Sequence, residues 1–180
     1  MKPKHEEVNY QSFPIHECLI NPSWQEIGQA RVLLSRKISK GEIVFATFLV
    51  DLYCLGVKDV LTPMVTPKIG YESMKLMAYF DGRPLACDPN LAHTIIYGSI
   101  EYAQNLGFQP HEDFSGSSSI LLPETDITKD TSVRFGQDGR VIYVEGPNDN
   151  PEYVIATLNG SVGKGNFDVV SVNDLFNVDE

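Results

Sequence analysis

Asp51 is the one charged side chain between Ile43 and Leu55, in a run otherwise built from Val, Phe, Leu, Tyr, Cys and small residues. A carboxylate in such surroundings must be paired, hydrogen-bonded or protonated, because full burial raises its pKa by about 3–5 units. Two roles follow. Asp51 can act as a general base or metal ligand, or it can sit at a strand end and accept hydrogen bonds from loop amides or from Lys58. His111, Glu112 and Asp113 add an imidazole and two carboxylates just after a well-signalled helix, on the kind of loop where sites often lie. Asp51, His111 and Asp113 together form a candidate His/Asp cluster for holding a divalent ion or activating water. Contiguous His-Glu-Asp lacks the i, i+4 spacing of a helical zinc motif, and no Cys-x-x-Cys pair occurs. A capping role for His111 therefore competes with ligation.

The remaining chemical signals have structural explanations. His16-x-Cys18 has no partner pair of known spacing and reads as buried strand residues. His93, Tyr97 and Glu101 recur at i, i+4, i+8 and read as a solvated or interface face. In GSVGKG (160–165), Gly165 stands where a phosphate loop needs Ser or Thr, and the loop follows a helix rather than preceding one. Serines 117–119 lack a nucleophile elbow. No cofactor is expected.

The segment 41–57 (GEIVFATFLVDLYCLGV) is what must position these groups. Apolar on both faces and rich in β-branched and aromatic residues, it predicts a central strand over 41–55, covered on both sides. It is far short of the roughly 20 apolar residues of a bilayer span, and no membrane association is expected. Residues 30–38 predict a strand joined to it through Ser39-Lys40-Gly41, an antiparallel hairpin. Strands are also predicted at 15–20, 132–136, 141–145 and 167–172, the 132–136 and 141–145 pair joined by GQDG at 136–139. Ser23 and Glu26 have capping-box spacing for a short turn stopped by Gly28. Residues 58–67, with Pro63 and Pro67, show no pattern, and 69–80 has helical spacing. Asp88 as cap, Pro89 at the first position and Gly107 as stop define a helix over 89–106 that buries Ile95, Tyr102 and Leu106 on the central strand. Gly98 on its edge leaves room for a strand to approach. Asn150 and Pro151 start a last helix.

Net charge is −10 and unevenly placed. Residues 1–110 hold 11 acids and 10 bases, whereas 111–180 hold 13 acids and 4 bases. An acidic surface repels phosphate backbones, so general nucleic-acid binding is not expected and a basic protein partner is. Arg31, Arg36, Lys37 and Lys40 crowd the hairpin and read as solubilising charge at its tip. Three widely spaced cysteines and the lack of an apolar leader segment argue for reduced thiols in the cytoplasm.

The blocks FLVDLYCLGVKD (48–59), YGSIEYAQNLGFQPHEDF (97–114), FGQDGRVIYVEGPNDNPEYVIATL (135–158) and SVGKGNF (161–167) resemble a family of uncharacterised bacterial proteins. The resemblance spans residues 15–168. In that family related domains occur alone or within longer chains, some carrying a DNA-binding helix-turn-helix or a small metal-binding segment. It implies a self-contained domain of bacterial type without those segments, and it carries no activity.

The expectation is an α+β fold: a mainly antiparallel sheet of five or six strands with two or three helices packed on it. One domain over 15–172 follows a loose leader (1–14) and precedes an acidic tail (173–180). The leading functional expectation is a non-catalytic binding or regulatory module with an acidic partner-facing surface. The alternative is a small metal-assisted hydrolase or nuclease using Asp51, His111 and Asp113.

Overall fold

A computed structural model of the chain describes residues 8–171. The acidic tail expected at 173–180 and the first seven residues of the expected leader lie outside the described residues. Strands β1 (Ile15–Ile20), β2 (Gln29–Lys37), β3 (Glu42–Asp51) and β4 (Gly56–Pro67) form an antiparallel meander, with helix α1 (Trp24–Ile27) in the β1–β2 connection. Helix α2 (Lys68–Ala78) leads to β5 (Leu85–Ala86), which pairs antiparallel with β1 and completes a five-stranded sheet of order β4-β3-β2-β1-β5. This is the expected α+β fold.

Strand alternation sorts the core into two layers. Val44, Ala46, Phe48 and Val50 of β3 face helix α3 (Pro89–Asn105) together with Val32 and Leu34 of β2. Ile43 and Phe45 face the other way, under Tyr71 of α2 and Tyr79 just after it, with Leu19 and Leu33. The sheet is thus covered on both sides, as a doubly apolar central strand requires. α3 forms as its sequence demands: the Asp88 carboxylate accepts the Asn90 N–H at 2.7 Å, and Pro89 opens the first turn.

Several expectations are corrected. The central strand ends at Asp51, not at residue 55, and residues 52–55 turn the chain into β4. The patternless stretch 58–67 is most of β4. It lies at the sheet edge, where Pro63 and Pro67 cost no interior ladder bond. Residues 132–136 are not a strand; only an isolated Gln137–Arg140 bridge remains of the expected second hairpin. β6 (Val141–Val144) instead pairs parallel with β7 (Phe167–Val170), linked by helix α5 (Pro151–Ser161). Helix α4 (Phe114–Ser117) and two 3₁₀ turns occupy the long irregular segment between α3 and β6.

The basic cluster also divides. Arg36 is buried on the α3 side of β2, donating through Nε to Ile120 O at 2.8 Å and through Nη1 to Phe13 O at 2.6 Å and Gln11 O at 3.2 Å. It ties residues 11–13 to the body of the domain, as does the Tyr10 N–H bond to Ser119 O. Arg31 pairs with Asp81 at 3.1 Å, which leaves Lys37 and Lys40 as the exposed bases near the hairpin tip.

Candidate functional site

Asp51 is 3% exposed and its oxygens are occupied. Oδ1 accepts the Tyr53 and Cys54 N–H groups at 2.8 and 3.2 Å, and Oδ2 accepts that of Leu55 at 3.2 Å. Burial pushes its pKa up, while the Tyr53, Leu55 and Cys54 amides and the Lys58 charge work against that rise. The carboxylate closes the β3–β4 turn. His111 Nδ1 accepts the Asp113 N–H at 3.3 Å and lies 3.8 Å from Asp113 Oδ2, a local turn of which the His111 N–H, bonded to Val57 O at 2.9 Å, is the anchor. Asp51, His111 and Asp113 do not converge on one ion. Among the described residues, the His, Cys, Asp and Glu ligand atoms that lie within 4.8 Å of one another are those of His16, Glu17 and Glu72. An ammonium already stands there: Lys75 Nζ is 3.0 Å from Glu17 Oε2 and 2.8 Å from Glu72 Oε2.

The solvated or interface face expected at His93 is instead covered within the chain by the segment after α4, and His93 has no exposed surface. Nε2 accepts the Leu122 N–H at 2.9 Å, so Nδ1 carries the proton and donates it to Pro89 O. Burial holds the His93 pKa below its ordinary value, the Pro89 carbonyl opposes this, and Arg36 adds to it. Both nitrogens serve the fold, which leaves none for proton transfer.

The same side of α3 bounds a groove of about 340 Å³ shared with residues 124–135. Tyr97, Tyr102, Ile127 and Phe135 supply its apolar surface. The Phe135 ring lies against α3 at Gly98, where an added Cβ would fall 2.4 Å from the ring, so the glycine admits an aromatic ring rather than the expected strand. Phe135 stacks on Tyr102 with centroids 5.9 Å apart, and Tyr97 stacks on His93 at 6.4 Å. The Tyr97 hydroxyl is fixed by donation to Leu122 O at 2.9 Å. Burial raises the Tyr102 pKa to about 12 and raises that of Tyr97 as well, helped by the Glu124 charge, so both phenols stay neutral.

Carboxylates rim these rings. Glu101, Glu124 and Asp130 line the groove with a single base, Lys129, which pairs with Glu101 at 3.3 Å. Asp130 also accepts from Ser132 N–H at 2.8 Å and Oγ at 2.6 Å, which orders the loop beneath it. Among the described residues Glu124, beside the Tyr97 ring, has no ion pair with a lysine or arginine. Aromatic faces next to such a carboxylate attract a cation that carries a hydrocarbon stem, as in arginine, lysine or an organic amine. The volume lies at the lower end of the roughly 300–1,000 Å³ usual for ligand sites. Tyr97, Gly98, Glu101 and Tyr102 follow one another along α3 and are visible in sequence. Phe135 and the acids of 124–130 come from a segment with no periodicity to place it.

The fold and groove define an α+β protein with an acid-rimmed aromatic site. The chain matches no family model, and no curated protein and no solved structure matches it, so the site is read from its own residues.

Proposed function

We propose that this protein is a non-catalytic binding module of the bacterial cytoplasm, and that its α3 groove captures a basic segment of a partner protein. The observation that carries this reading is the junction of Tyr97, Tyr102 and Phe135 with Glu101, Glu124 and Asp130 in one groove. An arginine or lysine side chain would lay its stem on the rings and its charge at the rim, gaining about 0.5–2 kcal/mol from each aromatic contact as solvent is excluded. The acid excess of residues 111–180 would draw basic partners in and repel acidic ones. The acid–base groups nearest the core support a binding role over a catalytic one, since Asp51 and His93 are spent on backbone hydrogen bonds.

Titration calorimetry with short arginine-rich, lysine-rich and glutamate-rich peptides tests the reading. The basic peptides should bind, the acidic one should not, and Glu124→Lys should weaken binding at least about tenfold. Equal affinity for the acidic peptide, or full affinity in Glu124→Lys, would remove the proposal.

A further inference from the structure

Two of the three cysteines, far apart in sequence, meet at the edge of the sheet. β5 pairs with β1 as Ala86 with Leu19 and Leu85 with Ile20, so the next rung sets Cys87 opposite Cys18. The chain still follows the ladder there, since the Cys87 N–H donates to Cys18 O at 2.9 Å. Residues directly opposed in an antiparallel pair have Cα atoms roughly 4.5–5.5 Å apart and side chains on one face. A disulfide spans roughly 4.4–6.8 Å between Cα atoms, so this rung can be bridged with the backbone in place. Both side chains pack against the α3 side of the core, in keeping with a shared face. Cys54 is fully buried in the separate core around β6 and α5 and stands outside the pair.

The two thiols differ in a way that suits stepwise exchange. Cys18 is 7% exposed, whereas Cys87 is partly exposed at the open edge of the sheet, between the exposed Ala86 and Asp88. Cys87 directly precedes the Asp88 cap of α3, and a helix N-terminus favours a thiolate. Contact with the Cys18 S–H, joined by the Ala92 N–H, holds the Cys87 pKa below the ordinary thiol value, against burial and the Asp88 charge. The same contact pushes Cys18 the other way, as do burial and the charges of Cys87 and Asp88, so Cys18 stays protonated. One partner is an accessible nucleophile, and the other a resolving thiol behind it.

We propose that Cys18 and Cys87 form a redox-active pair, which a small-molecule disulfide converts into an intramolecular disulfide. The Cys87 thiolate attacks one sulfur of the oxidant, the S–S bond of the oxidant breaks, and one thiolate leaves as a mixed disulfide forms on Cys87. Cys18 gives up its proton, attacks Cys87 Sγ and expels the second thiolate. Two protein thiols are oxidised to one disulfide, the oxidant is reduced to two thiols, and the protons of Cys18 and Cys87 end on those two thiols. The bond staples β5, only two residues long, and the start of α3 to β1. In a reducing compartment such a bond is transient, which makes it a signal rather than a brace.

The test incubates the native, intact chain with glutathione disulfide, quenches with acid, alkylates the free thiols and maps them by mass spectrometry. The expected product joins Cys18 to Cys87 and keeps Cys54 as its one free thiol, and dithiothreitol returns all three. Cys18→Ser should stop with one glutathione attached to Cys87. Cys87→Ser should react with the oxidant at least about tenfold more slowly than wild type. The wild-type map needs no variant, so it decides the matter even where a substitution unfolds the chain. No Cys18–Cys87 bond in the native protein, a bond that forms only in urea, or first attachment of glutathione at Cys54 would each overturn the proposal.

Discussion

At the scale of single residues, Asp51 and His93 are held by what they bond. Asn at position 51 keeps one acceptor oxygen and turns an amide donor toward N–H groups that Oδ1 and Oδ2 now satisfy. Asp51→Asn should therefore lower unfolding free energy by about 1–3 kcal/mol, measured by urea denaturation. His93 makes the stability pH-dependent, and the sign follows from its lowered pKa. The folded protein binds fewer protons at this site than the unfolded chain, whose pKa is about 6.5. Its contribution is fully present above that value and is lost as pH falls toward the folded-state pKa. Protonation removes the Nε2 acceptor for Leu122 N–H and places a second cation near Arg36. Melting temperatures recorded from pH 7.5 to 5 should fall, and less so in His93→Gln, whose side-chain oxygen can keep the Leu122 bond. A parallel loss in the variant would assign the pH dependence elsewhere.

At the scale of elements, the β6–α5–β7 unit is tied to the sheet by a largely buried ion pair. Lys58 Nζ of β4 lies 2.8 Å from Asp149 Oδ2, which also accepts the Gly146 N–H at 2.8 Å ahead of α5. The two side chains are 13% and 9% exposed, so Lys58→Met leaves a largely buried carboxylate without its cation. The expected loss is about 3 kcal/mol, with faster amide hydrogen exchange in α5 than in α3. Elements with strong local signals were legible from sequence: β1, β2, the start of β3, α2, α3 with Asp88 and Pro89, and α5 with Asn150 and Pro151. β4 was not, because prolines break a strand pattern unless the strand lies at an edge, and an edge is a tertiary fact. The parallel β6–β7 pairing was not, because GQDG offered a local hairpin while the true partner lies across α5. Asp51 as an anomaly was legible, and its turn-closing role was one of the two read for it. The α3 groove was half legible: its helix residues have a period, but Phe135 and the acids opposite do not.

At the scale of the whole molecule, one sheet separates two surfaces of different character. On one side, α3 and the segments after it present aromatic rings within a rim of acids; on the other, α2 exposes Ile69, Leu76 and Met77. No helix among the described residues is long and apolar enough to cross a membrane. The most direct test of the binding role is an amide nitrogen–proton correlation spectrum of the labelled protein, recorded as an arginine-rich peptide is added. The account predicts shifts concentrated at Tyr97, Gly98, Glu101, Tyr102 and Phe135. Shifts spread evenly over the acids of residues 145–168, or none at α3, would contradict it.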